Sequence, residues 1–453
     1  MNSHQLRTKL KFSTAFVSLM LGLWVGGTYA QTTAITNATV FTGTSQGVLN
    51  DAIIVIQGTK IMAVGKSVAV PADAVVIDAQ DKLVTVGLIA ANSELGFSEV
   101  SSLGSDLRSA NDAISASFEV QYGFNPRSQT IAVARAAGTT RAISLPEAAG
   151  NSAGAHEHDG AGGSDAHQAA NLFGGLGAVV DLSGSDNSVT MSKMAAIVDL
   201  GEAGAAAVKG SRGVTMVAFQ GILNDVRHYA ANRASYERGE GKELRLSAAD
   251  LDALIPVVRG QIPLVVNVHR ASDIARVIDM AQINGLKIII NGGGEAWLMA
   301  SRLAEAKIPV ILDTTQNLPE DFDRVATRLD SAAILSKAGV KIIITGEGNA
   351  NHRVRENRLR AGMAVANGMA YDEGVKSLTL YPAQAFGLKG LGSIEAGNLA
   401  DLVIWSDDPL EMLSQPEIVF INGKRQALTS RASQLADRYK HGTASHSVAY
   451  PKP

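Results

Sequence analysis

The chain has 453 residues, no cysteine, 40 Lys and Arg against 43 Asp and Glu for a formal charge of −3, and only 5% aromatic residues. The missing cysteines exclude disulfides, thiol nucleophiles and thiolate metal sites, and the charge balance excludes the basic face of a nucleic-acid binder. A chain this long exceeds one ordinary core and suits one large domain with a smaller companion.

Arg7, Lys9 and Lys11 precede an uncharged, mostly apolar run over 12–27, and Thr28-Tyr29-Ala30 then supplies small residues at a cleavage point. That is the layout of a secretory signal peptide, and the run falls short of the ~20 residues a membrane span needs. Removal of residues 1–30 lowers the formal charge from −3 to −6. The expectation is a periplasmic or secreted protein with no membrane span after cleavage.

Residues 34–80 read as short β-branched strands separated by turns such as Gly58-Thr59-Lys60, a pattern that predicts a small β-sandwich unit. From about 83 the texture changes to apolar runs at 139–145, 214–219, 262–268, 286–290, 308–312 and 340–344, with helical periodicity over 273–284 and 296–306. Repeated strand–helix units in this number predict a closed parallel barrel. Short strands return over 399–423. The predicted fold is α/β: a TIM-like (β/α)8 barrel over 83–390 with a small β-sandwich domain built from both chain ends, 31–82 and 391–430, and a C-terminal helix or tail over 431–453. Two segments read as irregular: the Gly-, Ala- and His-rich stretch 148–170 and the polar tail 441–453.

The passage from Ile61-Met62-Ala63-Val64-Gly65 to Gly87-Leu88-Ile89-Ala90-Ala91-Asn92 resembles the barrel entry of amidohydrolases related to imidazolonepropionase. The segment 360–368, Pro382-Ala383, the run 392–405 and Val419-Phe420-Ile421-Asn422-Gly423-Lys424 are similar to that family's closing signature. The resemblance implies hydrolysis of a carbon–nitrogen bond by water on a divalent metal, zinc above all, held by imidazoles and carboxylates at the C-terminal ends of barrel strands.

Carried over position by position, the ligand set is depleted. The strand-one His-x-His falls on Asn92 and Glu94, with Ala90 and Val86 at the family's preceding Asp and Pro. Strand four, taken as 214–219, ends at Gln220 with neither Lys nor Glu; strand five keeps His269; the strand-six His falls on Gly292; and the strand-eight Asp becomes Glu347 or Gly348. One imidazole does not hold a catalytic zinc, which needs about three protein ligands.

Two functional readings follow. In the first the chain is a catalytically impaired member whose pocket, lined by Asn92, Glu94, His269, Arg270, Asn291, Gly292 and Glu295, binds a small amide- or peptide-like ligand, or which assembles as a homo-oligomer or with an active paralogue. In the second, Glu94, His269 and Glu347 form a rebuilt hard-metal site for a carbon–nitrogen hydrolase, with Glu347 as the catalytic carboxylate. The alternative for those carboxylates is pairing with Arg270 or Arg353. His156, Glu157, His158, Asp159, Asp165 and His167 in the irregular stretch could capture a divalent metal, although catalysis needs firmer support than such a stretch provides. Gly292-Gly293-Gly294 reads as a turn into a helix, His228 as a residue on a helix, and Trp297 and Trp405 as packing residues.

Overall fold

The computed structural model describes residues 31–99, 106–109, 111, 114–147, 172–346 and 353–440. The β-branched N-terminal stretch forms β1 (Thr32–Phe41), β2 (Val48–Gln57), β3 (Lys60–Gly65), β4 (Val75–Asp78) and β5 (Leu83–Val86). The barrel wall is built from β6 (Leu88–Ala90), β7 (Thr139–Ser144), β8 (Phe173–Leu176), β9 (Ala178–Asp181), β11 (Ala196–Asp199), β12 (Leu264–Val268), β13 (Ile288–Gly292), β14 (Val310–Leu312) and β15 (Ile342–Ile344), with β10 (Val189–Met191) a hairpin partner of β9. The chain then returns as β16 (Leu402–Trp405), β17 (Pro416–Ile421) and β18 (Lys424–Arg425).

β16 pairs antiparallel with β5, so the strand order β18-β17-β16-β5-β1-β2-β3 joins both chain ends in one sheet. Its buried face holds Ile35, Ile54, Ile56, Val84, Leu402, Ile404 and Phe420 in one apolar cluster. The alternate residues Val403, Trp405, Val419 and Ile421 are buried too, in the barrel's core cluster, so β16 and β17 are covered on both faces.

Inside the barrel, Ile89, Ile143, Val179, Ile197, Val265, Ile289, Ile311 and Ile343 form one cluster, one residue from each of eight wall positions. This is the layer of branched side chains that fills a barrel of this kind. β11 to β15 run parallel in chain order. The third wall position runs the other way: β8 pairs antiparallel with β11, and β9 antiparallel with β7. Between β15 and β6 the wall is closed by a peptide segment, Ile344 N–H donating to Ser377 O at 3.3 Å and Ile89 N–H to Leu378 O at 2.8 Å. Helices cover the outside, among them α1 (Gln129–Ala136), α2 (Glu202–Ala207), α3 (Arg212–Glu237), α4 (Ala248–Val258) and α5 (Ala271–Asn284).

One predicted strand is a helix. Residues 214–219 lie in the first turns of α3, whose start is capped by the Ser211 side chain accepting from Val214 N–H. Val214 and Val217 are exposed, whereas Thr215, Phe219, Ile222, Leu223 and Val226 are buried. Burial at spacings of three and four is a helical stripe, and it overrides the β-branched composition. The wall strand that fills position four is β11, an apolar run ending in Asp199 that sequence reading passed over.

At the N-terminal end of the barrel, Arg141 of β7 is 1% exposed and reaches into the small sheet. Its guanidinium donates to Asp401 Oδ2 at 2.6 Å and to Asn422 Oδ1 at 2.6 Å. Asn422 donates onward to Asp181 Oδ2 at 3.1 Å. Nearby, Trp405 is fully buried and donates to Thr85 Oγ1 at 2.9 Å. A buried charge is tolerated when its donors are matched in this way.

Candidate functional site at the barrel mouth

Chemistry in such barrels collects at the C-terminal ends of the strands. There β12 ends in Asn267, Val268 and then His269, and β13 ends in Asn291 and Gly292. His269 keeps an exposed edge, but its Nδ1 is sealed from solvent with no hydrogen-bond partner. Burial pulls its pKa down to about 4, with the Arg324 guanidinium adding to the effect. The ring is therefore a neutral base across the physiological range.

Gly292, at φ +96°, explains where this ring lies. A Cβ there would come 2.3 Å from His269 Cε1 and 2.7 Å from Nε2. The imidazole occupies the space that a side chain on strand six would need. A side chain at 292 would therefore require the His269 ring to turn aside, and glycine at 292 is what lets His269 sit as it does. A Cβ on Gly294 would meet Arg324 Cγ at 3.3 Å and His269 Nδ1 at 3.7 Å, so a cationic side chain is the next neighbour.

Glu94 follows β6 on the other side of the mouth. Burial, then the nearby Glu147 carboxylate, raises its pKa to about 7, against a hydrogen bond from Ser98 and the charge of Arg108. Arg108 is ion-paired with Glu147. Glu94 thus answers to Glu147, Ser98 and Arg108, while His269 answers to Arg324, Asp321 and Asp323. Glu347, His156, His158 and His167 lie outside the described residues.

Strand four supplies a carboxylate that sequence reading missed. Asp199, at the end of β11, is buried and accepts from Gly201 N–H at 3.0 Å and Gly204 N–H at 2.8 Å. Burial raises its pKa, against these bonds and one from Asn267. Asn291 Nδ2 donates to Asn267 Oδ1 at 2.8 Å, so an amide chain links strands four, five and six. The signal was available: an apolar run at 194–198 followed by Asp199-Leu200-Gly201.

Other pocket candidates take different places. Glu295 is buried, and its two oxygens accept from Ala271 N–H at 3.0 Å and Ala326 N–H at 3.1 Å. It is committed to backbone and not to a ligand. Arg270 donates to Asp273 at 2.9 Å, and Arg353 lies 4.0 Å from Glu356, so neither is the partner of Glu94. Asn92 stands at φ +50°, a left-handed conformation that Asn tolerates. His228 lies on α3, exposed, and Trp297 donates to Ala326 O at 2.8 Å.

A divalent metal does not fit this donor set. Among the described residues no three His, Asp, Glu or Cys side chains gather as a metal-holding group. Among the described residues His269 is the imidazole at the mouth, and it lies against Gly292 and faces a guanidinium, which repels a cation.

The sequence profile of the amidohydrolase family matches residues 237–429. The amidohydrolase tasK of Hapsidospora irregularis is 26% identical over 390 residues; the match takes in 79% of this chain and 38% of that protein. The chain therefore spans well under half the length of that curated relative. The crystal structure of an amidohydrolase from Thermotoga maritima MSB8 superposes with a TM-score of 0.73 at 27% identity, covering 86% of this chain and 98% of the other. A Xaa-Pro dipeptidase with bound methionine shares the fold at 18% identity and a TM-score of 0.52, over 87% and 99% of the two chains. The likenesses reach the level of a superfamily and not a branch within it.

Proposed function

Since this chain belongs to the amidohydrolase superfamily, a superfamily of hydrolases, we propose that it is an exported member in which metal-dependent hydrolysis is lost or severely impaired and whose barrel mouth binds a small amide- or peptide-like ligand. The observation that carries this reading is the His269 ring lying in the space above Gly292. Metal-activated water requires about three fixed protein ligands around one ion. Here the strand-six position is a glycine with the surviving imidazole lying against it, and the two strand-one positions hold Asn92 and Glu94. The amide chain of Asn291 and Asn267 offers neutral hydrogen-bonding groups suited to an amide. The leader-like residues 1–30 support export, and no helix among the described residues is long and apolar enough to cross a membrane. A homo-oligomer, or assembly with an active paralogue, is the corresponding proposal for partners.

The test is turnover of a panel of dipeptides and N-acyl amino acids with and without added zinc. The reading expects rates in the wild type no faster than in His269→Ala. Zinc-dependent turnover that disappears in His269→Ala contradicts it.

A second reading draws on Glu94. A carboxyl with a pKa of about 7 at the edge of a barrel mouth is matched to general acid–base work. In that reading the chain is a carbon–nitrogen hydrolase with a non-standard site, and Glu94→Gln abolishes turnover that the wild type supports. Wild-type turnover that survives this substitution counts against it.

A further inference from the structure

We infer that residues 316–328, which follow β14, form a strap that closes the barrel mouth over His269, and that the Arg212–Asp323 ion pair is its latch. This goes beyond the functional reading above and holds whether or not turnover survives.

The strap is fixed from beneath at two points. Asp323 is buried and ion-paired with Arg212, the first residue of α3. Arg212 also donates to Asp273 Oδ2 at 2.8 Å, and Asp273 sits in the first turn of α5. The latch therefore ties the strap to the starts of two barrel helices. Three residues on, the Ala326 peptide is gripped from both sides, its N–H by Glu295 at 3.1 Å and its C=O by Trp297 Nε1 at 2.8 Å.

Between these two points lies Arg324. Its aliphatic stem lies 3.3 Å from where a Cβ on Gly294 would stand, and its charge reaches His269. The glycine run then has a spatial reason at both ends. Gly292 leaves room for the imidazole, and Gly294 leaves room for the stem that lies beside it. A side chain at either place would push the ring or the strap outward.

The crest of the strap is the opposite of its base. Leu318 is 72% exposed and Phe322 90% exposed, so the segment buries little apolar surface of its own. A segment held by a few polar bonds, with its apolar side chains in water, opens locally at low cost compared with global unfolding. An open strap uncovers His269, Gly292 and Gly294 together. The closed state thus narrows the mouth and leaves only an edge of the His269 ring in reach of solvent.

The experiment reads access to His269 by carbethoxylation with diethyl pyrocarbonate at neutral pH, mapped by peptide mass spectrometry on the full chain. Exposed His228 on α3 is the internal reference. In the wild type His269 reacts far more slowly than His228. In Asp323→Asn, and separately in Arg324→Ala, its rate rises about tenfold or more, with His228 unchanged. Hydrogen exchange across the barrel strands reports whether Asp323→Asn keeps its fold. If it does not, Arg324→Ala, which leaves the latch in place, decides the closure. A wild-type His269 as reactive as His228, or no rise in either folded variant, overturns the strap. A rise in Arg324→Ala with none in a folded Asp323→Asn overturns the latch.

Discussion

The two ends of the barrel treat buried polar groups in opposite ways. At the N-terminal end, Arg141 is enclosed by Asp401 and Asn422, with Asp181 behind them. At the C-terminal end, His269 has a sealed nitrogen with no partner, Glu94 is held against its ordinary ionisation, and Asp199 is a buried carboxylate with a raised pKa. Matched burial is what a fold does for stability. Polar groups buried at a cost, in a place where this architecture keeps its chemistry, are what the proposed ligand site rests on. The difference teaches that the mouth, unlike the junction, holds polar groups without full compensation, which is what the proposed ligand-binding role requires.

Three substitutions sharpen the contrast. Arg141→Ala strands the Asp401 carboxylate in the junction and should destabilise the protein by about 3–5 kcal/mol in equilibrium denaturation. A loss under 1 kcal/mol would place the junction on a par with an exposed ion pair. Glu295→Ala, which leaves the Ala271 and Ala326 amides without their acceptor, should cost about 1–3 kcal/mol. Hydrogen exchange should rise first at 316–328, and a uniform rise would deny the local grip. Glu94→Gln acts through pH. The folded pKa of Glu94 is raised from 4.5 to about 7, so the stability it contributes is full below pH 4.5 and is lost as pH rises through about 7. The Gln variant carries no such dependence and should gain about 1 kcal/mol relative to wild type at pH 8, discounted for solvent screening. Parallel stability curves from pH 4.5 to 8 would contradict the shift.

The fold was legible wherever local pattern and tertiary role agree. Runs such as Leu264 to Val266 and Ile288 to Ile290 are continuous and apolar because a parallel barrel strand is buried on both faces. The return of the chain to the first sheet was legible in the turn-bounded strands before Asn422-Gly423. The reading failed at 214–219, where β-branched residues fall on a helix whose burial stripe, not its composition, decides its state. That error hid β11 and with it Asp199. The residues at the family's ligand positions, Asn92 and Gly292 among them, are visible in the sequence itself. Two other things are not. The commitment of Glu295 to backbone amides and the closeness of the His269 ring to position 292 are distances between residues far apart in the chain.

Metal content bears most directly on the central proposal, that the residues of the barrel mouth do not hold a catalytic metal. The chain without residues 1–30 is produced in zinc-supplemented medium, dialysed without chelator and assayed for metal by elemental analysis, beside a Glu94→Ala/His269→Ala variant and a deletion of 156–167. The account predicts well under one equivalent in the wild type, with no change in the double variant and any residual metal lost with the deleted segment. One or more equivalents retained by the wild type and lost in the double variant would contradict it.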